Sequence, residues 1–355
     1  MRYRYTTLQS TKTLGESGTE IIDLTLSDIV TAIRVMLIAT SASTAWSNHP
    51  AANVTKVELV DGSDVLFSLT GKCAEAIDFL QRPRPRPSMI EYRNGRGCAC
   101  VFDINFGRYL GDRELGFDPK KFKNPQLKIT WDIDVCETSA SAGTYDVKAL
   151  VFDEVQPAPM GFLMSKELKA YTPAADTWEY TDLPLDYPMR TLGIQAQVGG
   201  SNLATSLADV KLSEDNDKRI PFNDTANDLA RFIASQWPAY VEHVRIMLTT
   251  SLAAYYVTPG YNAVLGGASL VASSGLQAQV AQGGKVNAQS EVAGQGQFVV
   301  TGSLPHQVLA LPFGRRDIIE EWYDVTKVGS LRLSLKGGSA ATGTFRIITE
   351  QLRRY

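Results

Sequence analysis

The sequence predicts an all-β protein built as two tandem antiparallel β-sandwiches, each carrying one short helix. Three observations lead there: four blocks of the second half repeat blocks of the first in the same order, the segments within each copy are short, β-branched and alternating, and Gly, Asn, Asp and Pro turns separate them. At 355 residues the chain exceeds one comfortable core, so two units are expected. Hydrophobic residues at 44% and charged residues at 21% describe a folded chain rather than a disordered one.

The first repeated block is Glu20–Leu26 (EIIDLTL), which matches Glu179–Leu185 (EYTDLPL); apolar runs follow both, IRVMLIA and TLGIQAQ. The second pairs Val57–Asp64 with Val210–Asp217 and keeps its register as far as Phe79-Leu80 against Phe232-Ile233. It reads as strand, polar turn, strand and helix. Thr70 and Asn223 are the expected N-caps, and Ala76, Phe79, Leu80 and Leu229, Phe232, Ile233 have the i, i+3, i+4 spacing of an apolar helix face.

The third block is Phe106-Gly107-Arg108 against Phe313-Gly314-Arg315, each after an alternating run. Asp118 and Asp324 then precede the strands LKITWDIDV and SLRLSL, and Gly143-Thr-Tyr145 and Gly343-Thr-Phe345 open the last strand of each copy. About eight strands per copy with one buried face fit two packed antiparallel sheets of jelly-roll type. An immunoglobulin-like sandwich has fewer strands and a Cys…Trp…Cys core signature that this sequence lacks. The predicted organisation is an N-terminal arm at 1–19, a first jelly roll at 20–156, a Pro-rich linker at 157–178 and a second jelly roll at 179–355.

The copies differ chiefly between helix and FGR block. The second carries a long insertion at about 249–297, rich in Gly, Ala, Ser, Val and Gln, with Lys285 and Glu291 as its charges. Segments of this length serve a function in compact proteins, and this one is expected to order against a neighbouring subunit. In the first copy Arg82-Pro-Arg-Pro-Arg-Pro87 is expected to form an extended polyproline II connector.

A net charge of −3 leaves little capacity to neutralise phosphates, which argues against sequence-specific or enveloping nucleic-acid binding. Arg2, Arg4, Arg353 and Arg354 read as solvated termini. No apolar run follows the first basic residues, and the stretch Ile33–Ala39 is too short for a bilayer, so a soluble chain from a reducing compartment is expected. Cys73, Cys98, Cys100 and Cys136 form no framework of paired spacings and read as buried free thiols.

Catalytic chemistry is not legible. The three histidines, His49 in a polar loop, His243 in YVEHVRIML and His306 beside a Pro, are far apart and read as structural. No P-loop, GxGxxG, HExxH or GxSxG element is present. Asp61, Asp64, Asp215 and Asp217 cluster in equivalent turns, where turn propensity accounts for them without calcium. The expectation is therefore no catalytic residue, no cofactor and no metal ligand.

The duplicated sandwich, the paired FGR steps and the block GFDPKKFKNPQLKITWDIDV together resemble the double jelly-roll major capsid proteins of tailless icosahedral viruses, the lineage that includes the adenovirus hexon. The resemblance implies a structural coat protein of the virion, assembled in the host cytoplasm. It also implies a homotrimer whose six jelly rolls make a pseudo-hexagonal capsomer, with minor capsid or penton proteins and an internal lipid membrane as further partners. The competing reading is a carbohydrate-binding tandem β-sandwich, lectin-like or a spike module, which calls for exposed aromatics gathered on one face. Trp178, Tyr180, Tyr255, Tyr256 and Tyr261 are its candidates. An enzyme on two jelly rolls needs carboxylates converging in a cleft between them.

Overall fold

A computed structural model describes residues 2–41, 46–84, 89–137, 140, 142–270 and 275–355. Alternating burial along the strands builds two sandwiches of the same design. In the first copy the eight strands are Tyr3–Leu14, Ser17–Asp23, Val30–Thr40, Val54–Asp61, Asp64–Leu69, Gly97–Asn105, Pro125–Asp132 and Ala142–Phe152. Their sheets run first-eighth-third-sixth and second-seventh-fourth-fifth.

In the second copy the strands are Gly161–Tyr171, Trp178–Asp182, Met189–Gln195, Leu207–Glu214, Arg219–Thr225, Val308–Pro312, Leu331–Gly337 and Phe345–Arg354. The sheet orders are the same. One sheet from each copy joins edge to edge into an eight-stranded sheet, through a parallel pairing of Ser68 with Lys166. Side chains such as Val57, Leu59, Leu127, Ile129, Leu192, Ile194, Ile347 and Ile348 fill one contiguous core across both copies.

Each fifth strand runs into a helix, Gly71–Gln81 and Ala226–Gln236. The Thr70 side chain caps the first by accepting from Cys73 N, as expected. The second is capped by Thr225, which accepts from Asp228 N, and not by Asn223. The strand that pairs Asn223 with Lys211 runs on to Thr225, opposite Asp209, so the helix begins two residues later than expected. The helix face shifts accordingly: Leu229, Ala230 and Ile233 are buried, whereas Phe232 is exposed.

Two further expectations are corrected. The arm at 1–19 contains the first copy's opening strand, and Tyr3–Leu14 pairs along its length with Ala142–Phe152. The linker at 157–178 contains the second copy's opening strand, because Gly161–Tyr171 pairs with Phe345–Arg354. The insertion orders within its own chain: Tyr240–Leu248, Pro259–Ser269 and Gly294–Pro305 make a sheet that recruits Ile90–Tyr92 from the first copy, and Ala253–Tyr256, Leu276–Ala281 and Lys285–Ser290 make another. Tyr92, Tyr255, Val286, Phe298 and Val300 form a second core beneath them.

Candidate functional site

The two copies meet at their FGR turns. Gly107 is required there, since a Cβ would come within 2.7 Å of Asp112 Cβ and 2.9 Å of the Leu115 carbonyl oxygen. Arg108 donates to both Asp112 carboxylate oxygens at 2.7 and 2.9 Å, and the amides of Arg108 and Glu114 donate to the same carboxylate. Burial pushes the Asp112 carboxyl up, but these bonds outweigh it and hold the group below its ordinary value. Arg108 also donates to the Asp317 carbonyl at 2.9 Å, next to the second FGR turn. Gly314 in that turn has a φ of +70°. Around the first turn Phe106, Phe117 and Phe122 pack against Phe162 and Tyr355 of the second copy.

Buried polar groups continue the junction. Arg190 donates to Glu350 at 3.0 Å, and Gln81, at the end of the first helix, donates to the same carboxylate. Arg82 and Arg84 of the Arg-Pro run donate to the buried Asp103 and Asp78, so they hold carboxylates of their own chain. Residues 85–87 of the expected polyproline II connector lie outside the described residues.

Histidines that sequence separates are brought together here. His49 and His306 lie with ring centroids 4.7 Å apart, 1% and 0% exposed. His306 Nε2 is 3.1 Å from Glu75 Oε2, on the first helix, and His49 Nε2 is 3.2 Å from Thr258 Oγ1, whose hydroxyl donates to Glu242 at 2.8 Å. Spacing gave no signal, because 231 residues separate Glu75 from His306 and 209 separate His49 from Thr258. His243 stays apart and exposed on the strand Tyr240–Leu248.

The remaining candidates serve their own turns. Asp61 accepts from the Lys123 and Asn124 amides at 3.2 and 2.7 Å, and Asp64 pairs with Arg353. Asp215 accepts from the Ser330 amide, while Asp217 accepts from Lys211 and Ser213; both residues adopt positive φ, 47° and 68°. At the termini Arg4 pairs with Asp28 and Asp153, leaving Arg2 and Arg354 exposed. Cys73, Cys98, Cys100 and Cys136 are buried free thiols. The aromatic set for a glycan face does not gather: Tyr180 is exposed, but Tyr255 and Tyr261 are buried.

No protein-family model and no curated protein matches the sequence. Solved structures do match. The major capsid protein of STIV superposes with a TM-score of 0.61 at 12% identity, covering 100% of this chain and 98% of that one. The major capsid protein P2 of Bacteriophage PM2 gives 0.58 at 10% identity, over 99% and 98% of the two chains. VP54 of PBCV-1 gives 0.57 at 10% identity, over 99% and 93%.

The chain has the double jelly-roll fold. The superpositions run over nearly the whole length of both chains, so both copies take part in the match. The double jelly roll is mostly strand, 55% against 12% helix, in accord with the sequence expectation of an all-β chain.

Proposed function

We propose that this double jelly roll is a structural major capsid protein, forming trimeric pseudo-hexagonal capsomers of an icosahedral virus shell. The observation that carries the reading is the end-to-end correspondence with major capsid proteins, 100% of this chain against 98% of the STIV protein. Two near-alike sandwiches per chain under threefold symmetry present six similar walls, and closed symmetry lets such walls tile. In this reading the chain works as a subunit and not as a catalyst, within the virion and after assembly in the host cytoplasm. Its first partner is a further copy of itself, then minor capsid or penton proteins; an internal membrane would face the capsomer base.

The insertion exposes Leu252, Val264, Leu270 and Val292, with Val264 as much as 69% accessible. Apolar side chains so placed suit burial between subunits of an obligate assembly. The full-length protein is expected to run as a trimer by light scattering and to show hexagonal outlines in negative stain. Replacing 249–297 by a short Gly-Ser linker should leave β circular dichroism and yield monomer. A stable monodisperse monomer of the intact chain would overturn the proposal.

A further inference from the structure

We propose that His49, Glu75 and His306 form a buried structural site for a divalent transition-metal ion of the zinc type, where the two jelly rolls and the insertion meet. One donor atom from each residue lies within 4.8 Å of the other two, and all three side chains are buried. Glu75 Oε2 stands between the rings, 3.1 Å from His306 Nε2 and 3.8 Å from His49 Nδ1. Bonds of about 2.0 to 2.2 Å in a tetrahedral zinc site set donors roughly 3.3 to 3.5 Å apart, so the longest separation needs to close by little more than an ångström.

The surroundings match what a metal-bound imidazole needs. With Nδ1 of His49 turned to the ion, its Nε2 faces Thr258 Oγ1 at 3.2 Å and Glu242 Oε1 at 3.8 Å. An acceptor on the far nitrogen, here the Thr258 hydroxyl oxygen, fixes the ring and its tautomer. Glu242 is itself held by the Thr258 amide and hydroxyl, each at 2.8 Å. The lone pair of His49 Nδ1 accepts from the Ala51 amide at 3.1 Å, and coordination would take that pair over.

His306 is held from its Nε2 side by Glu75, while its other nitrogen, Nδ1, is buried without a hydrogen-bond partner among the described residues.

The donor chemistry selects the ion class. Two imidazole nitrogens and one carboxylate suit zinc or its neighbours, whereas calcium and magnesium take oxygen ligands. The three residues come from separate places: the loop after Val30–Thr40, the helix Gly71–Gln81, and the turn between Gly294–Pro305 and Val308–Pro312. Leu304, His306 and Gln307 in that turn have φ values of 51°, 50° and 51°, a region that non-glycine residues hold only when their surroundings enforce it. A metal there would pin the turn that joins the insertion to the second jelly roll.

The test uses the full-length chain, stripped with chelator and titrated with cobalt(II) chloride and with zinc chloride. One equivalent per chain is expected, with visible cobalt bands, an X-ray absorption shell of nitrogen and oxygen that includes two imidazoles, and a raised unfolding temperature. His306→Gln and Glu75→Gln should each weaken zinc binding by more than about 100-fold, beyond what an outer-shell change produces. The proposal is overturned by failure of the wild-type chain to take up one equivalent, by a sulfur-containing shell, or by unchanged affinity in both variants. If either variant does not fold, the wild-type stoichiometry and absorption shell decide alone.

Discussion

Glu350→Gln tests whether the junction depends on one buried charge. Glu350 and Arg190 sit on adjacent strands of the second copy, their side chains 3% and 2% exposed and 3.0 Å apart. Arg190 also donates to the Arg316 carbonyl at 3.1 Å and lies over the Trp322 ring. Burial pushes the Glu350 carboxyl up, yet Arg190, Gln81, Arg316 and Thr191 outweigh it and hold the group below its ordinary value. Arg316 is lowered to about 10, first by burial and then by Arg190. The amide variant keeps the shape and removes the charge, leaving guanidinium groups buried beside a neutral acceptor.

Removing one partner of a buried pair costs about 3 to 5 kcal/mol. For a chain of 355 residues, at about 2.1 cal/mol/K of unfolding entropy per residue, that is a fall in unfolding temperature of roughly 4 to 7 °C. Urea titration followed by tryptophan fluorescence measures the free energy, and calorimetry measures the shift. Replacing both partners, Arg190→Met with Glu350→Leu, should recover most of the loss, because an apolar pair of similar volume leaves no uncompensated charge. The reasoning is refuted if Glu350→Gln stays within about 1 kcal/mol of the wild type, the range of an ordinary surface change. A double variant less stable than the single one would refute it too.

Two further outcomes follow from the same geometry. The folded Asp112 carboxyl is depressed relative to about 3.9 in an unfolded chain, so its contribution is complete above that value and is lost as pH falls through the folded one. Asp112→Asn should therefore flatten the fall of stability on acidification below about pH 4, and an acid limb of unchanged slope would contradict the assignment. Burial raises the Cys73 thiol to about 11 and the Cys136 thiol to about 12. Ellman's reagent should label none of the four cysteines in the native protein and all of them in denaturant, and rapid native labelling would disprove the burial.

The parts of the fold legible in the sequence are those whose signal is local. Glu20–Leu26 and Glu179–Leu185 each overlap the second strand of a copy, Thr70 caps its helix, and the FGR triplets leave the sixth strands. The opening strands were missed for a physical reason. Tyr3–Leu14 is an edge strand whose side chains are exposed or half-buried almost throughout, so it lacks an apolar period, and the prolines before Gly161 disguise the second. The cap at Thr225 is not legible because Asn223 and Thr225 both suit an N-cap, and only the point where the strand gives way to the helix, after Thr225, separates them. No sequence pattern registers the pairing of His49 with His306, since the contact exists only after both copies and the insertion have packed.

The junction also explains why polar residues gather where a core might be expected. Apart from the recruitment of Ile90–Tyr92 into the insertion sheet, strand pairing between the two jelly rolls is slight parallel contact, Ser68 with Lys166 and Leu115 with Gly161. So short a seam cannot by itself fix the angle between two sandwiches. Apolar packing around Phe162 supplies contact area but little orientation, because the hydrophobic effect is non-directional. Direction comes from the geometry of Arg108 on the Asp317 carbonyl, Gln81 on Glu350 and Arg353 on Asp64, each crossing from one copy to the other. A ring of six walls closes only if that angle is the same in every chain. In the capsomer reading, the hydrogen-bonded seam is accordingly what turns a duplicated sandwich into a lattice subunit.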